Sequence, residues 1–119
     1  MNIRLRWLRD KLNALNIQGM IVSNPVNIKY LTNIEAEGEL LITRKENVYL
    51  TDSRYIEAVN TALTIDDEVV VHDKRTMIKE DYENFFLFCE NVGFEESYVT
   101  YENYKIMKNK IEISTKLIL

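Results

Sequence analysis

One cysteine, one proline, one histidine, one tryptophan and three glycines are all that 119 residues contain of these types. A lone Cys89 forms no internal disulfide, so packing alone must hold the core, and a single thiol fits a reducing compartment. So little proline and glycine excludes a linker or a low-complexity chain. Gly19, Gly38 and Gly93 stand apart, so no glycine-rich phosphate loop exists and a nucleotide-binding version of any α/β fold is disfavoured. No long apolar run opens the chain. Met1-Asn2-Ile3-Arg4-Leu5-Arg6-Trp7 meets charge within a few residues and reads neither as a signal peptide nor as a membrane span. The expected location is cytoplasmic, with no membrane partner. Positive charge is not in excess either. Fifteen basic against nineteen acidic side chains give a net charge of −4. A nucleic-acid surface wants a basic face, so no nucleic acid is expected. The acidic residues are scattered and no internal repeat is present.

What is there suits one domain, residues 1–119, long enough to bury roughly two-thirds of its unfolded surface. Leu5, Leu8, Leu12 and Leu15 recur at helical spacing between charged neighbours, which predicts an amphipathic helix. Gly19 offers a turn after it, and Met20-Ile21-Val22 reads as a strand covered on both faces. Asn24-Pro25 then starts a short helix, with Asn24 accepting the first free amides and Pro25 at the first helical position. Asn33 can close that helix in the left-handed conformation. Residues 39–43 and 47–51 are two strands joined by Arg44-Lys45-Glu46, short enough only for an antiparallel hairpin. Asp52 or Ser53 is expected to cap a helix carrying Ile56, Val59 and Leu63. Val69-Val70-Val71 reads as another buried strand. Ile78, Tyr82, Phe85, Phe86 and Cys89 mark a helix that Gly93 ends. Ser97-Tyr98-Val99 is expected as a strand, and a last helix runs from about Asn103 with Tyr104, Met107 and Ile111 inward. This alternation predicts a mixed, mostly parallel sheet of about five strands with helices on both faces.

The candidate chemistry is thin. His72 precedes Asp73 and can be drawn as an oriented base, but no neighbouring nucleophile or metal partner accompanies it, so a polar strand end is the ordinary reading. Cys89 shares an apolar stripe with Phe85 and reads as a small buried hydrophobe rather than a nucleophile. Asp66-Asp67-Glu68 lacks the alternate spacing and glycine of a hard-cation loop and reads as a solvated strand entrance. Glu95-Glu96 reads the same way. Arg54 can pair with a carboxylate of its own chain or of a partner. Trp7 either packs the first helix on the sheet or anchors an interface.

Two segments are more specific together than apart. Asn27-Ile28-Lys29-Tyr30-Leu31-Thr32 follows the first strand, and Leu50-Thr51-Asp52-Ser53-Arg54-Tyr55-Ile56-Glu57-Ala58 follows the hairpin. With the opening Arg4-Leu5-Arg6-Trp7-Leu8-Arg9 and the later Val92-Gly93-Phe94-Glu95, they resemble the N-terminal domain of the creatinase/prolidase family over essentially the whole chain. Asn27, Tyr30, Asp52 and Tyr55 are its structural motif residues here. Asn33-Ile34 departs from the Gly-Phe that often follows Tyr-Leu-Thr in that family.

The resemblance implies a domain with no catalytic residue and no metal ligand of its own. The catalytic pita-bread domain, with two divalent metals (commonly manganese), would follow beyond Leu119. Its chemistry would be hydrolysis of the peptide bond before proline in short peptides, with the metals activating a bridging water. The domain itself would help assemble a homodimer and limit substrate length at a neighbouring active site. Asn33, Ile34, Glu35 and Arg54 are the residues expected to face that site. The reading from a different class is a free-standing α/β module that binds a small ligand at the carboxyl ends of its strands. An independent hydrolase using His72 or Cys89 is a third.

Overall fold

The computed structural model describes residues 2–63, 68–111 and 116–118. Helix α1 (Ile3–Ala14) begins where the Asn2 side chain accepts the Leu5 N–H, and it buries Leu5 and Leu12. Past its end, Asn16 rather than a glycine takes the left-handed turn. Gly19 instead opens strand β1 (Gly19–Val22). A Cβ there would lie 3.0 Å from the Phe86 ring and 3.1 Å from the Cys89 sulfur, so its role is close packing, not the expected turn.

Helix α2 (Pro25–Thr32) forms as its ends predict. Asn24 accepts the Val26 N–H, Pro25 occupies the first turn, and Asn33 closes the helix at φ 63°, ψ 25°. Strands β2 (Gly38–Thr43) and β3 (Asn47–Thr51) form the hairpin, and β3 is buried along its length. Helix α3 (Ile56–Ala62) buries Val59. Strand β4 (Val69–Asp73) is followed by a 3-10 turn at Lys74–Thr76, helix α4 (Lys79–Phe85), strand β5 (Asn91–Phe94), helix α5 (Tyr101–Lys110) and strand β6 (Lys116–Ile118).

The sheet has six strands in the order β4-β3-β2-β1-β5-β6. Strand β1 runs parallel to β5, β5 to β6 and β3 to β4, whereas β2 is antiparallel to both β1 and β3. One reversed strand therefore sits in an otherwise parallel sheet. Helices cover both faces. On one, Leu5, Ile28, Leu31, Ile34 and Val59 pack on Val22, Leu40, Ile42 and Tyr49. On the other, Tyr82, Phe86, Met107 and Ile111 pack on Ile21, Leu41, Val48, Leu50, Val92 and Phe94. The mixed α/β fold matches the expectation, with β6 added at one edge.

Four local expectations are corrected. The strand after α4 is Asn91–Phe94, not Ser97–Val99. Val92 and Phe94 alternate onto the core face, while Tyr98 and Val99 fold into a turn whose amides donate to the Glu95 carbonyl. Gly93 lies inside that strand and ends no helix. Helix α4 stops at Phe85, and Phe86 and Cys89 reach the core from the turn beyond it. Strand β4 is an edge strand, with Val70 52% exposed, because its far side has no neighbour among the described residues.

Candidate functional site

Because β2 alone is reversed, the ends of β1, β3, β4 and β5 and the start of β2 share one rim of the sheet. In open α/β sheets this carboxyl edge is where ligands meet the fold. The rim is held by a carboxylate contributed from far along the chain. Glu95, just past β5, accepts the Ser23 N–H at 2.5 Å and the Asn24 N–H at 2.7 Å through one oxygen. Its other oxygen takes the side-chain amide of Asn27. These are free donors at the start of α2, where a negative charge is favoured. Glu95 thus braces the entrance to α2, beside the Asn24 cap, and is not a solvated strand entrance. Sequence offers no local signal for it, since donor and acceptor lie 71 residues apart.

Further along the rim, Asp52 accepts the Arg54 N–H at 2.9 Å and the Arg54 Nε at 3.1 Å. Helix α3 begins only at Ile56 with no side-chain cap, so Asp52 shapes the turn before the helix rather than capping it. The Arg54 N–H and guanidinium hold the Asp52 carboxyl below its ordinary range, and the same pair raises Arg54. Arg54 itself is exposed and lies over the Tyr55 ring at 5.3 Å. Tyr55 packs half-buried against the core. Ser53 accepts from Arg75 at 2.8 Å, joining this turn to the one after β4.

The segment after α2 divides. Asn33 is the left-handed cap, and Glu35 is exposed, pairing with Lys29 at 2.7 Å, which keeps its carboxyl below the ordinary range. Ile34 is only 7% exposed and packs with Leu5, Ile28 and Leu31, so its side chain serves the core. The structure does not gather Asn33, Glu35 and Arg54 into one pocket.

Tyr30 is 53% exposed, with the Arg4 guanidinium 4.4 Å above its ring and donating to its carbonyl at 2.7 Å. Trp7 is 54% exposed and Lys11 lies 5.2 Å from its ring, so Trp7 is not the packing residue that one reading of the sequence expects. A groove of about 380 Å³ runs between them, floored by Leu8, Met20, Val22 and Leu31. Ile3 and Val26, one turn from Trp7 and Tyr30 on their own helices, are each 73% exposed and extend the apolar stripe.

Among the described residues, neither His72 nor Cys89 has a hydrogen-bonded or ion-paired reactive partner. His72 is exposed on β4. Cys89 is buried, and burial pushes its thiol up, away from nucleophilic use. Asp66 and Asp67 lie outside the described residues. Glu68 takes a left-handed conformation and lies 3.6 Å from Arg6. Among the described residues, no three His, Cys, Asp or Glu side chains come together as a metal set. No helix among them is long and apolar enough to cross a membrane.

A mixed α/β domain with a carboxylate-latched rim, an exposed aromatic stripe and no clustered catalytic groups among its described residues is the class this geometry defines. The chain belongs to the Creatinase/Prolidase N-terminal domain family, which matches residues 4–118. It is similar to an uncharacterized peptidase, YqhT, of Bacillus subtilis, with 26% identity over 105 residues, covering 86% of this chain and 29% of that protein. The chain therefore spans under a third of the length of the curated relative it matches. Among solved structures it resembles a Xaa-Pro aminopeptidase from Streptococcus pyogenes at a TM-score of 0.83, with 24% identity over 97% of this chain and 87% of that one. It also resembles the N-terminal domain of the cytoplasmic peptidase PepQ from Mycobacterium tuberculosis at a TM-score of 0.82, with 24% identity over 99% of this chain and 92% of that one.

Proposed function

We propose that this chain serves as the non-catalytic N-terminal domain of a cytoplasmic Xaa-Pro metallopeptidase, and that its own work is assembly and the limiting of substrate length. The observation that carries the reading is the exposed stripe of Ile3, Trp7, Val26 and Tyr30 on a domain of this family. Exposed aromatic anchors beside arginine are the composition of interface hot spots. The partners are the enzyme's own catalytic domain and a second subunit of a homodimer. The parent reaction is hydrolysis of the bond before proline in short peptides. Glu35 and Arg54 are exposed and charged, and they serve as the residues that border a neighbouring active site. The backbone around Asn33 and Ile34 shapes the same approach.

The two divalent metals of such an enzyme, commonly manganese, find no matching set among the described residues of this chain. No step of hydrolysis is therefore assigned to it. The test is direct. The purified 119-residue chain, given manganese and a Xaa-Pro dipeptide, should release no proline. Measurable turnover would overturn the reading.

A further inference from the structure

A second cleft, of about 290 Å³, opens on the rim between the end of β1, the start of β2, the turn after β4 and helix α5. Ser23, Glu39, Lys74, Tyr98, Asn103 and Lys110 supply its polar groups. Val99, Ile106 and Met107 supply an apolar wall. The size lies at the small end of ligand pockets, which run from roughly 300 to 1,000 Å³.

The polar groups are arranged by sign. The Glu39 side chain is mostly buried; it accepts from Ser23 Oγ at 3.3 Å and lies 3.7 Å from the Lys74 ammonium. That last distance is long for a contact pair, and Lys74 remains half exposed, so the carboxylate keeps capacity for a second cation. Lys110 has no carboxylate partner among the described residues and rests 4.7 Å from the Tyr82 ring. Tyr82 also feels Glu39. Burial first, then the Glu39 charge, pushes its hydroxyl up to about 12, so Tyr82 stays protonated and neutral between the two. Asn103 uses its backbone N–H on the Thr100 hydroxyl, and its side-chain amide has no bond among the described residues. An acceptor of ammonium and a donor set for carboxylate thus flank one apolar wall.

We propose that this cleft binds a small zwitterion, an amino acid or dipeptide, with its ammonium on Glu39, its carboxylate on Lys110 and Asn103, and its apolar side chain against Val99 and Ile106. The reading is independent of the assembly role. It places a recognition site for peptide termini on a domain whose described residues gather no metal-binding set.

The probe is the dipeptide Leu-Ala, titrated into the isotopically labelled 119-residue chain while amide NMR shifts are followed. Saturable shifts are expected at Ser23, Glu39, Tyr98 and Asn103 below roughly 10 mM. N-acetyl-Leu-Ala removes the ammonium, and Leu-Ala amide removes the carboxylate. Each should bind about tenfold more weakly or worse, the scale of one charge-assisted hydrogen bond. Lys110→Gln should weaken Leu-Ala by a similar factor while the rest of the spectrum is unchanged. Glu39→Gln repeats the test from the other side, and the surface variant Asn103→Ala keeps it decisive if Glu39→Gln fails to fold. No saturable shift, equal binding of the blocked peptides, or equal binding of inorganic phosphate would each overturn the proposal. Hydrolysis by a parent enzyme has no bearing on any of these outcomes.

Discussion

The Glu95 carboxylate closes over the start of α2 by accepting the backbone N–H of Asn24 at 2.7 Å. The same oxygen takes the Ser23 N–H, and Asn27 donates to its partner oxygen. A half-buried carboxylate with several donors is worth more than an exposed ion pair, because removing it strands amides that have no other acceptor. Glu95→Ala should lower unfolding free energy by about 2 kcal/mol. The adjacent exposed Glu96→Ala should change it by less than about 0.5 kcal/mol. Urea unfolding of the two variants side by side checks the difference. Equal values would mean that water replaces the latch.

The three glycines should rank by what a methyl group meets. At Gly38 the backbone is at φ +154° and a Cβ would fall 2.0 Å from the Leu50 carbonyl oxygen, which cannot yield. Gly38→Ala should cost about 3 kcal/mol or more, combining strain with a backbone clash. Gly19→Ala meets the buried Phe86 ring and Cys89 sulfur at 3.0–3.1 Å and should cost about 1–3 kcal/mol. At Gly93 the nearest atom is Ile17 Cγ2 at 3.6 Å, so Gly93→Ala should be neutral or stabilising by up to about 1 kcal/mol. Thermal melts of the three would expose any reversal of this order.

Asp52 gives an acid-limb prediction with a definite sign. Its folded pKa is depressed, first by the Arg54 N–H and then by the Arg54 guanidinium. A depressed carboxyl stabilises the fold above its unfolded value, near 3.8, and that contribution fades as pH falls through the lower folded value. Asp52→Asn keeps an acceptor for the Arg54 N–H but cannot ionise. Its stability should therefore fall less steeply below pH ~4 than that of the parent chain. Both groups are exposed, so the difference is small and should shrink in high salt. Stability measured from pH 7 down to ~2.5 decides it, and parallel curves would show that Asp52 carries no linked proton.

Trp7 is the chain's single tryptophan and more than half exposed. Its fluorescence in the isolated chain should be red-shifted and readily quenched by acrylamide. Trp7→Ala should melt within about 0.5 kcal/mol of the parent chain, as surface substitutions do, and, if the proposed assembly role holds, should lower the oligomer mass seen in analytical ultracentrifugation of the proposed parent peptidase. A stability loss above ~2 kcal/mol with unchanged mass would assign Trp7 to the core instead.

Much of the fold is visible in short-range pattern. Asn24-Pro25 and Asn33 define α2 at both ends, because capping is a local transaction between a side chain and amides one turn away. The hairpin is equally local. The misplaced β5 shows where such reading stops. Gly93 resembles a helix terminator, whereas the decisive pattern is the two-residue alternation of Val92 and Phe94, too short to stand out. Strand β4 reads as buried because Val69-Val70-Val71 is apolar, yet its place at the edge is fixed by the order of strands, which no local run encodes. The candidate site was least legible. Glu95 looked like half of an acidic pair, and its partners Ser23, Asn24 and Asn27 come from another part of the chain. Ile34 is expected to face a neighbouring active site, and its side chain lies in the core.

The single reversed strand also predicts an order for the folding reaction. Strands β2 and β3 close across a three-residue turn, a microsecond-scale local event. Strand β1 reaches its parallel neighbour β5 only by closing most of the chain, as the 73-residue span from Asn91 to Gln18 records, and the entropy of that closure rises with the length enclosed. Condensation is therefore expected to run outward from the hairpin, with the β1–β5 seam and its Glu95 seal arriving last. Val48→Ala, on β3, should slow refolding, whereas Val92→Ala, on β5, should chiefly hasten unfolding. The rim that carries the proposed cleft is, on this account, expected to be the last part of the molecule to set and the first to loosen.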